Sequence, residues 1–91
     1  MKLVITVIGL DRVGIIAAVS AVLAKNQVNI LSINQNIMDG FFNMVLMGET
    51  SAQSATNLEA LQEELSVLGN ELGVEIRAQH AEIFYSMHRI G

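Results

Sequence analysis

The 91-residue sequence has no cysteine, no proline and no tryptophan, and five Lys and Arg residues against nine Asp and Glu. Without cysteine there is no disulfide framework, no thiolate metal site and no cysteine nucleophile. Without proline, element boundaries must be read from glycine and from hydrophobic periodicity. The bases are Lys2, Arg12, Lys25, Arg77 and Arg89, none adjacent to another, in a chain of net charge -4. That argues against direct nucleic-acid binding, which draws on clustered cations to neutralise phosphates. No stretch approaches the ~18 uninterrupted apolar residues of a spanning helix. The opening "MKLVITVIG" lacks the small-residue cleavage site of a signal peptide. The expectation is a cytoplasmic protein with no membrane partner.

What is present is apolar. Hydrophobic residues make up 52% of the chain and charged residues 15%. The length predicts one domain over residues 1–91, burying roughly 60–65% of the surface its unfolded chain exposes. A small domain with so little charge has limited means of keeping its surface wet, which favours an oligomer.

Leu3 to Ile8 is short, β-branched and apolar, as a strand covered on at least one face reads. From Val13 to Lys25 the spacing turns helical, with Ile15, Val19, Val22 and Leu23 on one stripe. Asn26 is the expected left-handed terminator. Val28 to Met38 predicts a second strand, with Ile30, Ser32, Asn34, Asn36 and Met38 on one face. Asp39-Gly40 is a strong two-residue hairpin signal, and Phe41 to Thr50 returns. Ser51 to Leu72 predicts a second helix with Leu58, Leu61, Leu65, Leu68 and Leu72 as its seam, capped by Ser51 or Ser54 and ended by Gly73. The seam spans barely two heptads, which points to core packing rather than a coiled coil. Val74 to His80 alternates as a fourth strand. The tail, with Ile83, Met87 and Ile90 against Phe84 and His88, reads as a short helix or a packed segment.

Strand, helix, strand, strand, helix, strand is the split βαβ order of an α+β, ferredoxin-like βαββαβ sandwich. Right-handed crossovers place the first and third strands centrally in a four-stranded antiparallel sheet, with both helices on one face. The other face is bare in a monomer, and the second strand is an edge.

No serine sits in a nucleophile elbow, and no cofactor loop is legible. His80 and His88 lie eight apart, a spacing that matches no common metal-ligand motif. Glu59, Glu63 and Glu64 read as a solvated helix face. Met38, Met44 and Met47, with Phe41 and Phe42, read as core or dimer contact. The loop "GLDRVGI" is different. A helix N-terminus offers unpaired N–H groups, here expected from about Arg12 to Ile15, at a positive dipole end. Gly14 admits a ligand carboxylate to the backbone, and Asp11 accepts from a ligand ammonium. The competing reading is that Asp11 caps the helix. The loop is not a phosphate fingerprint, lacking both G-x-G-x-x-G and Gly-Lys-Ser/Thr.

"ITVIGLDRVGIIAAVSAVLAKNQVNILSINQNI" resembles the first half of an ACT domain: a strand, a G-x-D-R-x-G-I loop, a small-residue-rich helix, and "NI" opening strand two. The whole chain is most similar to small stand-alone ACT proteins related to the ACT modules of the glycine-cleavage transcriptional repressor. The resemblance implies a regulatory, non-enzymatic amino-acid-binding module that acts as a dimer. It implies a ligand between two domains, bounded by Asp11, Arg12, Val13, Gly14 and Ile15 on one side and by Asn29 and Ile30 on the other. Val13 stands where many relatives carry proline.

Overall fold

The computed structural model describes residues 1–50, 58–82 and 84. The elements are β1 (Lys2–Leu10), α1 (Ile15–Lys25), β2 (Asn29–Met38), β3 (Phe41–Glu49), α2 (Leu58–Leu72) and β4 (Val74–His80). The sheet order is β2-β3-β1-β4, and every neighbouring pair is antiparallel. This is the expected ferredoxin-like arrangement, with β1 and β3 central.

Alternation along the strands separates the two sheet faces. Leu3, Ile5 and Val7 of β1, with Phe42, Met44 and Leu46 of β3 and Val74, Ile76 and Ala78 of β4, form one core cluster with the helices. Ile15, Val19 and Leu23 of α1 and Leu61 and Leu65 of α2 close it from above. Fully burying one such side chain contributes about 1.5–3 kcal/mol. Leu58, Leu68 and Leu72 pack partly buried at its margin, so the leucine seam serves the core.

The hairpin turn is left-handed at both central residues, Asp39 at φ 53 and Gly40 at φ 81. That is the type I′ geometry which matches strand twist. Gly73 follows α2 at φ 74, as a C′ residue should.

Several boundaries differ from expectation for local physical reasons. Helix α1 begins at Ile15 rather than Val13, because Gly14 is its N-cap at φ 92, outside helical space. Asn26 is not left-handed; it sits at φ -93, and Gln27 takes the positive φ of 60. The Asn26 amide instead donates to Val22 O at 2.8 Å and to Glu64 Oε1 at 3.1 Å. Strand β2 starts at Asn29 because the Val28 N–H is spent on Leu23 O. A register shift between Ile30 and Ser32 interrupts the predicted β2 faces. The Ser51 and Ser54 caps lie outside the described residues, as do Ile83, Met87, His88 and Ile90 of the tail. Residues 81, 82 and 84 are helical.

The face away from the helices is not wholly bare. Val4 is buried there, and on the same face Phe84 lines a hollow with Thr6, Ile8, Val45 and Arg77.

Candidate functional site

The connection from β1 to α1 is tied at two points. The Asp11 N–H donates to Gly40 O at 2.8 Å, holding the loop to the hairpin turn. The Arg12 guanidinium donates to Leu72 O at 3.0 Å, satisfying an end carbonyl of α2. Val13, which follows them, is 99% exposed.

Gly14 caps α1 with no side-chain hydrogen bond. Asp11 is therefore not the helix cap: it lies three residues before the cap, exposed, and among the described residues its carboxylate has no hydrogen bond or ion pair. Helix geometry leaves the first N–H groups unpaired, and the first intrahelical bond runs from Ala18 N–H to Gly14 O at 2.9 Å. The free donors thus belong to Gly14, Ile15, Ile16 and Ala17 rather than to Arg12 through Ile15. A Cβ built on Gly14 meets nothing within 4 Å, so the approach to those donors is open. Ile15 contributes backbone alone, since its side chain is in the core.

Asn29 and Ile30 are elsewhere. Asn29 is level with Glu49, which is level with Lys2; the loop leaves the sheet at Leu10, level with Phe41 and Met38. Eight residues of strand at ~3.4 Å each put the two groups roughly 27 Å apart along the sheet. Within one protomer the fold brings Asp11 through Ile15 together and holds Asn29 and Ile30 at the opposite end.

The two sheet edges differ. On the β4 side, the Gln62 amide donates to Ala78 O at 2.7 Å, occupying an edge carbonyl. On β2 every residue but Ile30 is exposed, including Leu31, Ile33 and Ile37. Residues that sequence reasoning missed are Gly40 and Leu72, whose carbonyls position the loop; neither carries a side-chain signal for that role.

Among the described residues no three His, Asp or Glu converge as a metal site. His80 is half-buried at the end of β4, and His88 lies outside the described residues. No described helix is long and apolar enough to cross a membrane.

The family model of the ACT domain matches residues 1–79. The chain belongs to the ACT domain family. It is 46% identical over 89 residues to a UPF0237 protein of Methanocaldococcus jannaschii, covering 98% of each chain. The ACT domain protein from Streptococcus pneumoniae superposes with a TM-score of 0.78 at 38% identity, over 92% of this chain and 93% of that one. A putative glycine cleavage system transcriptional repressor shares the fold, with a TM-score of 0.73 at 24% identity over 86% of this chain and 44% of that one. The stand-alone ACT resemblance of the GLDRVG loop is met by these matches. ACT domains are generally regulatory modules, and the fold that carries the loop is theirs.

Proposed function

We propose that this ACT domain is a non-enzymatic regulatory module that binds a small amino acid as a homodimer, with the ligand at the interface beside the β1–α1 loop. The observation that carries the reading is the start of α1, which has no side-chain cap, near an Asp11 carboxylate with no partner among the described residues. Free N–H groups at a positive dipole end suit a carboxylate. An exposed carboxylate suits an ammonium. An α-amino acid presents both groups on one carbon.

The register of the sheet supports a site built from two copies. A two-fold axis across β2 runs the two β2 strands antiparallel. Asn29 and Ile30 of the partner subunit then lie beside Met38, the strand end nearest the loop. Asn29 brings an amide with both donors and acceptors. The β4 edge, one of whose carbonyls Gln62 occupies, and the exposed β2 edge favour this side of the sheet. Arg12 holds the loop to α2, and Val13 faces outward toward a second copy.

The exposed apolar residues of β2 equally favour a second reading, a ligand-free module docking on a metabolic enzyme or a transcriptional regulator. A thermal-shift screen against the common amino acids separates the two. At 100 times its dissociation constant a ligand adds about 2.7 kcal/mol, a shift of roughly ten degrees for a domain this small. The expected result is a selective shift that Asp11→Ala abolishes. A flat screen with a co-purifying protein supports docking. An undiminished shift in Asp11→Ala removes Asp11 from the site, and turnover of any substrate by the purified protein would overturn the non-enzymatic reading.

A further inference from the structure

We propose that the amino-acid site is built for an aliphatic side chain, which lies in a groove between α1 and the outer part of β2. The proposal rests on the amino-acid reading above and adds the class of ligand.

Ile37 is level with Phe42, and Ile33 with Leu46. Residues level across two strands share a sheet face, and Phe42 and Leu46 belong to the core under the helices. Ile33 and Ile37 therefore stand on the helix side of the sheet, yet they are 41% and 55% exposed. Helix α1 borders the gap above them. Its Lys25 Nζ meets Glu64 of α2 at 3.0 Å, so that flank faces α2. At about 100° per residue, Ile16 and Ser20 fall on the flank away from Lys25, toward β2. Both are half-buried.

The groove begins where the ligand carboxylate is placed. The Ile16 N–H is one of the free donors that open α1, and its side chain leans toward that end of the helix. Ile37 stands in one row with Phe42 and Gly9, one residue before β1 ends at Leu10. A ligand held by those donors directs its side chain between Ile16 and Ile37. In the two-fold pairing that sets Asn29 of the partner subunit beside Met38, Ile30 of the partner subunit comes level with Ile37 and closes the groove. Gln35, the next polar residue on this face of β2, lies ~7 Å further along the strand, and Ser20 lies about one turn further along α1.

No charged residue lies between Ile15 and Ala24 of α1 or between Asn29 and Met38 of β2. Arg12 is turned to Leu72 O. The carboxylates of Asp11 and Asp39 belong to the loop and the hairpin turn, at the end where the ammonium is placed. A charged ligand side chain would leave water here without a counter-ion, and a hydroxyl or amide would lose its water beside the isoleucines without a partner. Glycine would leave the isoleucines in water. Each methylene that the groove buries tightens the ligand about four-fold.

Titration calorimetry on the whole protein with glycine, alanine, 2-aminobutyrate, norvaline and leucine tests this, with serine, phenylalanine, aspartate and lysine beside them. The expected result is a dissociation constant that falls about four-fold per methylene from alanine upward, with no heat from aspartate or lysine at the same concentrations. Ile37→Ala weakens leucine by about ten-fold or more and alanine less. Ile33→Ala, on the same face but four residues away, leaves the series unchanged and so separates contact with the ligand from damage to the β2 edge. A series led by glycine, serine, phenylalanine or a charged amino acid overturns the aliphatic groove and leaves the amino-acid reading standing. So does a leucine preference that Ile37→Ala does not reduce. No heat from any amino acid overturns both.

Discussion

Gly69 lies in the last turn of α2 and is buried. On helix propensity alone, Gly69→Ala stabilises by up to about 1 kcal/mol. The packing says otherwise. A Cβ at Gly69 stands 2.6 Å from Val74 O, with Ile76 Cγ1 at 3.5 Å and Ile76 N at 3.6 Å. The near atom is backbone of β4, and β4 is bonded along β1 from Val74 to His80, so it cannot swing aside as a side-chain tip can. Overpacking of this kind costs up to about 3 kcal/mol. Setting the propensity gain against it leaves a net loss of about 2 kcal/mol. For a domain of this size that lowers Tm by roughly 8–16 °C. Calorimetry of Gly69→Ala beside Asn70→Ala measures it, because exposed Asn70 takes the propensity gain without the clash. The consequence extends to the loop, since α2 must shift away from β4 and carries Leu72 O, the acceptor of Arg12. A Gly69→Ala protein melting at or above wild type would refute the close approach of α2 to β4 and the coupling drawn from it.

Gly14→Ala forces a Cβ into φ 92 with open space around it, so it costs about 1–2 kcal/mol of backbone strain; urea unfolding measures the loss, and the amino-acid shift should weaken with it. Leu65→Ala opens a cavity where the side chain is fully buried, and a loss of 2–5 kcal/mol is expected from the unfolding midpoint. The Glu64 carboxyl is held below the usual carboxylate range by hydrogen bonds from Lys25 Nζ and then Asn26 Nδ2. Its folded value is thus lower than its unfolded one, so its contribution is present at neutral pH and is lost as pH falls into and through the carboxylate range. Melting scans from pH 7 to 3 should show a shallower acid decline for Glu64→Gln, and an identical decline would remove this pair from acid stability.

Much of the architecture was legible because it depends on near neighbours in the chain. The Asp39-Gly40 turn, the Ile15, Val19 and Leu23 stripe and the Leu61 and Leu65 seam each follow from backbone preference or from 3.6-residue spacing. The ends of elements were less legible. Asn26 is a good left-handed residue by type, yet its side chain bonds Val22 O and Glu64 and the turn passes to Gln27. Asp11 is a good cap by type, yet Gly14 occupies the cap and Asp11 is tied by its own N–H to Gly40. In both cases a contact with a residue distant in sequence outweighed the local preference.

The candidate site divides along the same line. Sequence alone determined the GLDRVG loop, its glycine and its acid, and the order of elements around it, because these rest on residue type and short spacing. Only the tertiary structure decided that the Asp11 carboxylate has no partner among the described residues, that Arg12 is engaged by Leu72, and that Asn29 lies a sheet's length from the loop. It also decided which edge carbonyl Gln62 engages. Those outcomes depend on strand register and helix docking, where one residue of slip turns every side chain to the other face and no local signal reports the result.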